Sequence, residues 1–192
     1  YGGSEPMPKS ENDNLDGKNF YAIGKKASES YLSLYSSKNN INFTSLRLFN
    51  IYGPGQNLKN LSQGMLSIYL AQALESNQII VKGSLNRTRD FVHIYDVLNF
   101  LRKIENNPNC FNQTINICSG IETSVKEILD EIISQIGGEI KIIQKEKTSG
   151  DIDRMLGCTK KLKELTGLST KINIKEGIST MINAINQNKY FE

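Results

Sequence analysis

Phe43-Thr44-Ser45-Leu46-Arg47-Leu48-Phe49-Asn50-Ile51-Tyr52-Gly53-Pro54-Gly55-Gln56 is the stretch whose reading decides the fold class. Residues 43–49 have the length and composition of a strand, and Gly53-Pro54-Gly55 ends it in a loop. Just before it, Asn39-Asn40 breaks a segment, Phe20 to about Ser37, in which Ile23, Ala27, Tyr31, Leu34 and Tyr35 recur at helical spacing. That stripe is expected to pack on a sheet. A helix returning into a strand that stops at a Gly/Pro loop is the unit of a parallel α/β sheet, where ligands sit at the carboxyl ends of strands. Asn50 falls at such an end, and its amide suits either a phosphate or sugar hydroxyl or the loop's own backbone.

Upstream, Tyr21-Ala22-Ile23-Gly24-Lys25 starts the helix. Tyr21 and Lys25 are four residues apart on one face but off the apolar stripe, so they face either a site or solvent. A positive charge beside a phenol favours the phenolate, the form that works as a general base. Residues 2–19 read as a loop.

Downstream, residues 63–76 carry a helical pattern and Ile79-Ile80-Val81 a short strand, followed by a turn through Gly83 and Asn86. In Arg87-Thr88-Arg89-Asp90-Phe91-Val92-His93-Ile94-Tyr95-Asp96, Arg89 offers a planar charged fork for phosphate oxygens or for a surface ion pair. Asp96 is expected to cap a helix over 97–105. His93, the only histidine, alternates with apolar residues and reads as a packed strand residue. Residues 113–118 and 140–143 read as strands, and 124–135, 159–165 and 174–185 as helices, with Thr123 or Ser124 as a cap. The charged, Gly-broken run 145–154 is a loop that meets a polar ligand or is solvated.

The length of 192 residues has room for one domain or one and a half. Lys and Arg number 23 against 20 Asp and Glu, with no basic run interleaved with aromatics, which argues against a nucleic-acid partner. Cys110, Cys118 and Cys158 are odd in number and lack C-x-x-C spacing, which speaks against a disulfide framework or zinc site and for the cytoplasm. No apolar run is long enough for a membrane span. The first residue is Tyr1 rather than Met, and the chain is expected to be a fragment.

Tyr21-x-x-x-Lys25, Arg47-Leu-Phe-Asn50-Ile-Tyr-Gly-Pro-Gly-Gln56, Arg89-Asp-Phe-Val-His93 and Gly150-Asp151, in this order and spacing, resemble the nucleotide-sugar epimerase/dehydratase branch of the extended short-chain dehydrogenases. The likeness is greatest to its UDP-hexose 4-epimerases and covers nearly the whole chain, Tyr1-Gly2 included. It implies an α/β fold: residues 1–60, with 85–118 partly returning, as the C-terminal part of a Rossmann-like parallel-sheet domain, and 61–192 as a small substrate-binding domain. It implies NAD as cofactor, a UDP-sugar as substrate, a homodimer in which Tyr31 and Tyr35 could take part, and a place in polysaccharide biosynthesis. Tyr21 and Lys25 are then the catalytic pair and, with Phe49, hold the nicotinamide end of the cofactor. Asn50 and Arg89 match positions on the diphosphate, and Leu66, Lys82 and Asp151 positions near the nucleotide.

Some features depart from the family pattern. Thr148 stands where an arginine is common, with Lys145 or Lys147 as possible substitutes, and Cys158 stands where Asp is common. The family's Gly-rich dinucleotide loop and catalytic Ser or Thr precede the region that Tyr1 matches. The chain alone is therefore expected to bind NAD poorly and to be inactive. A nucleotide-sugar 4,6-dehydratase and a non-catalytic binding module remain the alternatives.

Overall fold

The computed structural model describes residues 1, 6–15, 17, 19–58, 64–148 and 151–187. Gly2, Gln63 and Gly150, which belong to stretches read above, lie outside the described residues. In chain order the elements are α1 (Phe20–Asn39), β1 (Thr44–Leu48), β2 (Asn50–Tyr52), α2 (Met65–Ser76), β3 (Gln78–Lys82), β4 (Thr88–His93), α3 (Ile94–Ile104), β5 (Gln113–Ile117), β6 (Glu122–Ser124), α4 (Val125–Ile136), β7 (Lys141–Lys145), α5 (Lys160–Thr166) and α6 (Ile174–Asn186).

The strand expected over 43–49 is β1, and Asn50–Tyr52, expected as the start of the loop that ends it, forms a second strand, β2. β1 pairs in parallel with β5, Leu46 opposite Ile115, and β2 then pairs in parallel with β4, Asn50 opposite Phe91. Between them the Phe49 N–H donates to the Ile117 carbonyl at 3.1 Å, so the switch costs no backbone hydrogen bond there. After Tyr52 the chain turns at Gly53, whose φ of 145° belongs to the left-handed side and where a Cβ would meet Ile94 Cγ2 at 2.5 Å. β6, which the sequence reading had no strand for, runs antiparallel on the far side of β4, and β3 pairs in parallel with β7.

Two cores flank β4. In one, α4 buries Val125, Ile128, Leu129 and Ile132, spaced as one helix face, against Leu66, Tyr69 and Leu70 of α2 and Ile178 and Met181 of α6. Each such fully buried large side chain contributes about 1.5–3 kcal/mol. Capping sets the start of both outer helices. Ser124 and Glu127 form a reciprocal capping box on α4, and Asn173 and Glu176 another on α6. The other core packs Val97, Phe100 and Ile104 of α3 on Val92, Ile115, Ile117 and Leu162.

Asp90, fully buried in β4, ties the loops beneath the site together. Its carboxylate accepts from Ser119 N–H and Oγ–H at 2.7 Å each, Gly120 N–H at 2.9 Å and Gly157 N–H at 3.1 Å. Burial nevertheless pushes its carboxyl pKa up, against those bonds.

Two expectations are corrected here. The apolar stripe of α1 is not packed on a sheet: Ile23, Leu34, Tyr35 and Tyr31 are exposed, the last by 75%, and the buried α1 residue is Ser36. The face turned to the protein is polar instead, with Glu29 on Arg47 and the Ser36 hydroxyl on the Ile41 carbonyl. Asp96 does not cap a helix. The cap of α3 is His93, whose Nδ1 accepts from Tyr95 N–H at 3.3 Å. Asp96 sits inside the first turn, buried, and accepts from the Lys171 and Ile172 N–H groups at 3.0 Å each.

Candidate active site

The N-terminal turn of α1 is set by Asn19, whose side chain accepts from Ala22 N–H at 2.8 Å. This directs Tyr21 and Lys25 along one side of the helix, with the Lys25 ammonium 5.5 Å from the centre of the Tyr21 ring. Tyr21 is 74% exposed among the described residues. Arg47 fixes the helix in place. Its Nε and Nη2 donate to Glu29 at 2.8 Å each, and its Nη1 donates to the Tyr1 hydroxyl at 2.8 Å and to the Glu11 carbonyl at 3.0 Å. Tyr1 in turn donates to Asn116 Oδ1 at 2.7 Å, which links α1 through β1 to β5.

Between α1 and the ends of β1 and β4 lies a cavity of about 670 Å³. Tyr21, Lys25, Phe49, Asn50 and Arg89 all line it, together with Tyr1, Arg47 and Met155. Five of the residues singled out in the sequence thus meet at one place. Phe49 supplies an apolar aromatic wall, 6.0 Å from the Tyr1 ring centre. Asn50 Nδ2 donates to the Asp90 carbonyl at 3.0 Å, which orients its side chain at the strand end. Arg89 is buried and its Nη2 donates to Asp151 Oδ1 at 2.6 Å. Burial lowers its pKa, with Asp151 acting in the opposite sense.

The remaining candidates are placed differently. Leu66, in the first turn of α2, is fully buried in the core beside Tyr69 and Leu70 and does not line the cavity. Lys82 ends β3 and is exposed. Asp151 sits against Arg87 and Arg89. Of the two lysines considered for the position of Thr148, Lys147 is held by Asp153 at 2.6 Å and Lys145 ends β7, exposed. His93 is fully buried, with Nε2 3.0 Å from Thr180 Oγ1, as a packed residue would be.

One residue of this neighbourhood escaped the sequence reading. Arg87, two residues before Arg89, is buried, pairs with Asp151 and donates from Nη2 to the Tyr69 hydroxyl at 3.0 Å. Arg87 lies just before β4, and no local signal marks it, since its partners, Tyr69 and Asp151, are distant in sequence.

Residues 1–118 match the model of the NAD dependent epimerase/dehydratase family. The chain belongs to that family. Among the epimerase/dehydratase relatives, a Methanocaldococcus jannaschii protein provisionally named as a UDP-glucose 4-epimerase is 33% identical over 190 residues, which cover 98% of this chain and 60% of that one. UDP-glucuronic acid decarboxylase 3 of Arabidopsis thaliana is 27% identical over 180 residues, 92% of this chain and 51% of the relative. The fold is like that of the solved UDP-glucose 4-epimerase of Thermotoga maritima with UDP-glucose, at a TM-score of 0.82 and 24% identity, covering 88% of this chain and 54% of that one. The chain thus spans half to three fifths of the length of these epimerase/dehydratase proteins. The fold is α/β with mostly parallel strand pairing among the described residues, in keeping with that family. No helix among the described residues is long and apolar enough to cross a membrane, and no metal-binding cluster occurs among them.

Proposed function

We propose that the complete polypeptide containing this chain is a UDP-hexose 4-epimerase that works by transient, NAD-dependent oxidation of the sugar. The observation that carries this reading is the meeting of Tyr21, Lys25, Phe49, Asn50 and Arg89 around one cavity. Tyr21 Oη, as phenolate, accepts the proton of the sugar hydroxyl and later returns it. Lys25 shares that side of α1, its ammonium 5.5 Å from the centre of the Tyr21 ring. NAD would supply the hydride acceptor of the oxidation and the donor of the return step. The residues present suit it: a phenol and an ammonium for ribose hydroxyls, and Phe49 as an apolar wall. Asn50 and Arg89 bind the diphosphate, with the guanidinium as the stronger, charge-assisted contact. Lys82 and Asp151 are the candidates for the nucleotide end, whereas the Leu66 side chain, buried in the core, is withdrawn from it.

In this reading residues 1–60, with part of 85–118, complete a cofactor domain, and 61–192 form the substrate domain. The protein acts in the cytoplasm, in polysaccharide biosynthesis, as a homodimer. The exposed apolar face of α1, with Tyr31 and Tyr35, supports the dimer, and light scattering tests it.

The direct experiment is incubation of the complete polypeptide with UDP-glucose, followed by nuclear magnetic resonance. UDP-galactose should accumulate to equilibrium, and failure to interconvert any UDP-hexose refutes the epimerase. The similarity to an Arabidopsis decarboxylase over 92% of the chain favours one second reading, loss of carbon dioxide from UDP-glucuronic acid, read by a parallel incubation with UDP-glucuronic acid. A 4-keto-6-deoxy product would point instead to a 4,6-dehydratase.

A further inference from the structure

The cluster around Asp151 carries more positive charge than it neutralises. Arg87 and Arg89 both converge on this one carboxylate, with side chains only 6% and 7% exposed. The neighbouring charges are already matched, Lys147 by Asp153 at 2.6 Å and Arg154 by Glu122 at 2.6 Å. Tyr69, the remaining partner of Arg87, is a neutral hydroxyl whose pKa burial raises further. Among the described residues the balance is one guanidinium charge without a carboxylate of its own in a mostly buried place. Arg87 Nε is in addition buried without a hydrogen-bond partner among the described residues. Burying a charged group and a donor in this way is costly unless an anion completes the site.

We propose that Arg87 and Arg89 act together as a two-guanidinium clamp for the diphosphate of the nucleotide sugar, with Asp151 as the shared tether that aims both forks. The inference rests on the nucleotide-sugar reading above and adds Arg87 to it. The chemistry matches: a diphosphate brings at least two negative charges and oxygens spaced for planar, bidentate donors. Arg89 lines the same cavity as Tyr21 and Lys25, and Arg87, which is not part of that lining, adjoins it through the shared Asp151, so a ligand held at its phosphates by the clamp extends its sugar along that cavity toward the phenol. Lys147 does not provide the second cation, because Asp153 holds it.

The test is calorimetric titration of the complete polypeptide and its Arg87→Gln variant with UDP, inorganic pyrophosphate and uridine, with thermal melting run alongside. Loss of a charge-assisted contact predicts about tenfold or more weaker binding of UDP and pyrophosphate, and uridine binding within about twofold of wild type. A merely structural Arg87 predicts a lower melting temperature with the UDP-to-uridine affinity ratio unchanged, and that overturns the clamp. If Arg87→Gln fails to fold, Arg87→Lys is read instead, since it keeps the charge and loses the fork. Weaker UDP binding with unchanged uridine binding supports the clamp, and an unchanged ratio overturns it. Wild-type protein that binds neither UDP nor pyrophosphate also overturns it. Should the clamp bind diphosphates through Arg87 while no UDP-hexose is turned over, the epimerase reading fails and the clamp stands.

Discussion

Replacing Arg47 with methionine should loosen α1 from the rest of the fold. Among the described residues α1 has one buried side chain, so burial contributes little to its attachment, and Arg47 makes the main polar bridge. The substitution keeps the apolar stem and removes both bonds to Glu29 and those to Tyr1 and Glu11. Breaking one side of a fully buried ion pair costs about 3–5 kcal/mol, while an exposed pair is worth about 0–1 kcal/mol. Arg47 and Glu29 keep 15% and 25% of their side-chain exposure, which places the loss between these limits, at about 2–3 kcal/mol. For a chain of this size that is a fall in Tm of about 4–12 °C. The assay is thermal melting by circular dichroism of wild type, Arg47→Met, Glu29→Gln and the double variant. The cycle should return a coupling of about 1–2 kcal/mol between Arg47 and Glu29. An Arg47→Met protein melting within about 1 °C of wild type would refute the bridge.

Three further outcomes follow from particular residues. Burial lowers the pKa of His93, with Asp96 opposing, so the imidazole is neutral in the fold while the unfolded chain takes up its proton below about pH 6.5. Stability should therefore be lost as pH falls from about 6.5 toward the lowered folded pKa, and urea titrations of His93→Gln should lack that slope; an unchanged slope contradicts it. Gly177→Ala would ordinarily gain about 1 kcal/mol in a helix, but a Cβ there lies 2.6 Å from Tyr52 Cζ, so overpacking of about 1–3 kcal/mol should win and the Tm should fall; a rise contradicts this. Burial pushes the thiol pKa of Cys110 and Cys118 up, whereas Cys158 is only partly buried. A thiol reagent followed by mass spectrometry should label Cys158 first in native protein, and equal rates at all three contradict it.

Much of the fold is legible because local signals and tertiary structure agree. The apolar spacing of Val125, Ile128, Leu129 and Ile132 and the Ser124 cap mark α4 in the sequence, and the same residues build the core. β2 reads as the start of the loop after β1 because three residues before Gly53-Pro54 carry no strand signal of their own, and only pairing to β4 makes them a strand. β6 is three residues long, too short for alternation to register, and exists through its pairing to β4. The stripe of α1 has the right period, yet period does not say whether a partner surface is among the described residues. For the site, the motifs around Tyr21, Asn50 and Arg89 identify residues distant in sequence that line one cavity. Arg87 stays hidden because its meaning lies in long-range partners, Asp151 and Tyr69, that no local pattern names.

The most direct test of the central claim is the turnover of UDP-glucose by the complete polypeptide and its Tyr21→Phe variant. Tyr21 is exposed among the described residues, so the exchange should leave the fold intact while removing the hydroxyl proposed to carry the proton. The account predicts UDP-galactose formation by wild type and a fall in kcat of about 100-fold or more in the variant, with KM within about threefold. A variant that retains more than about a tenth of the wild-type kcat contradicts the role given to Tyr21, and a wild-type protein that leaves every UDP-hexose unchanged contradicts the epimerase itself.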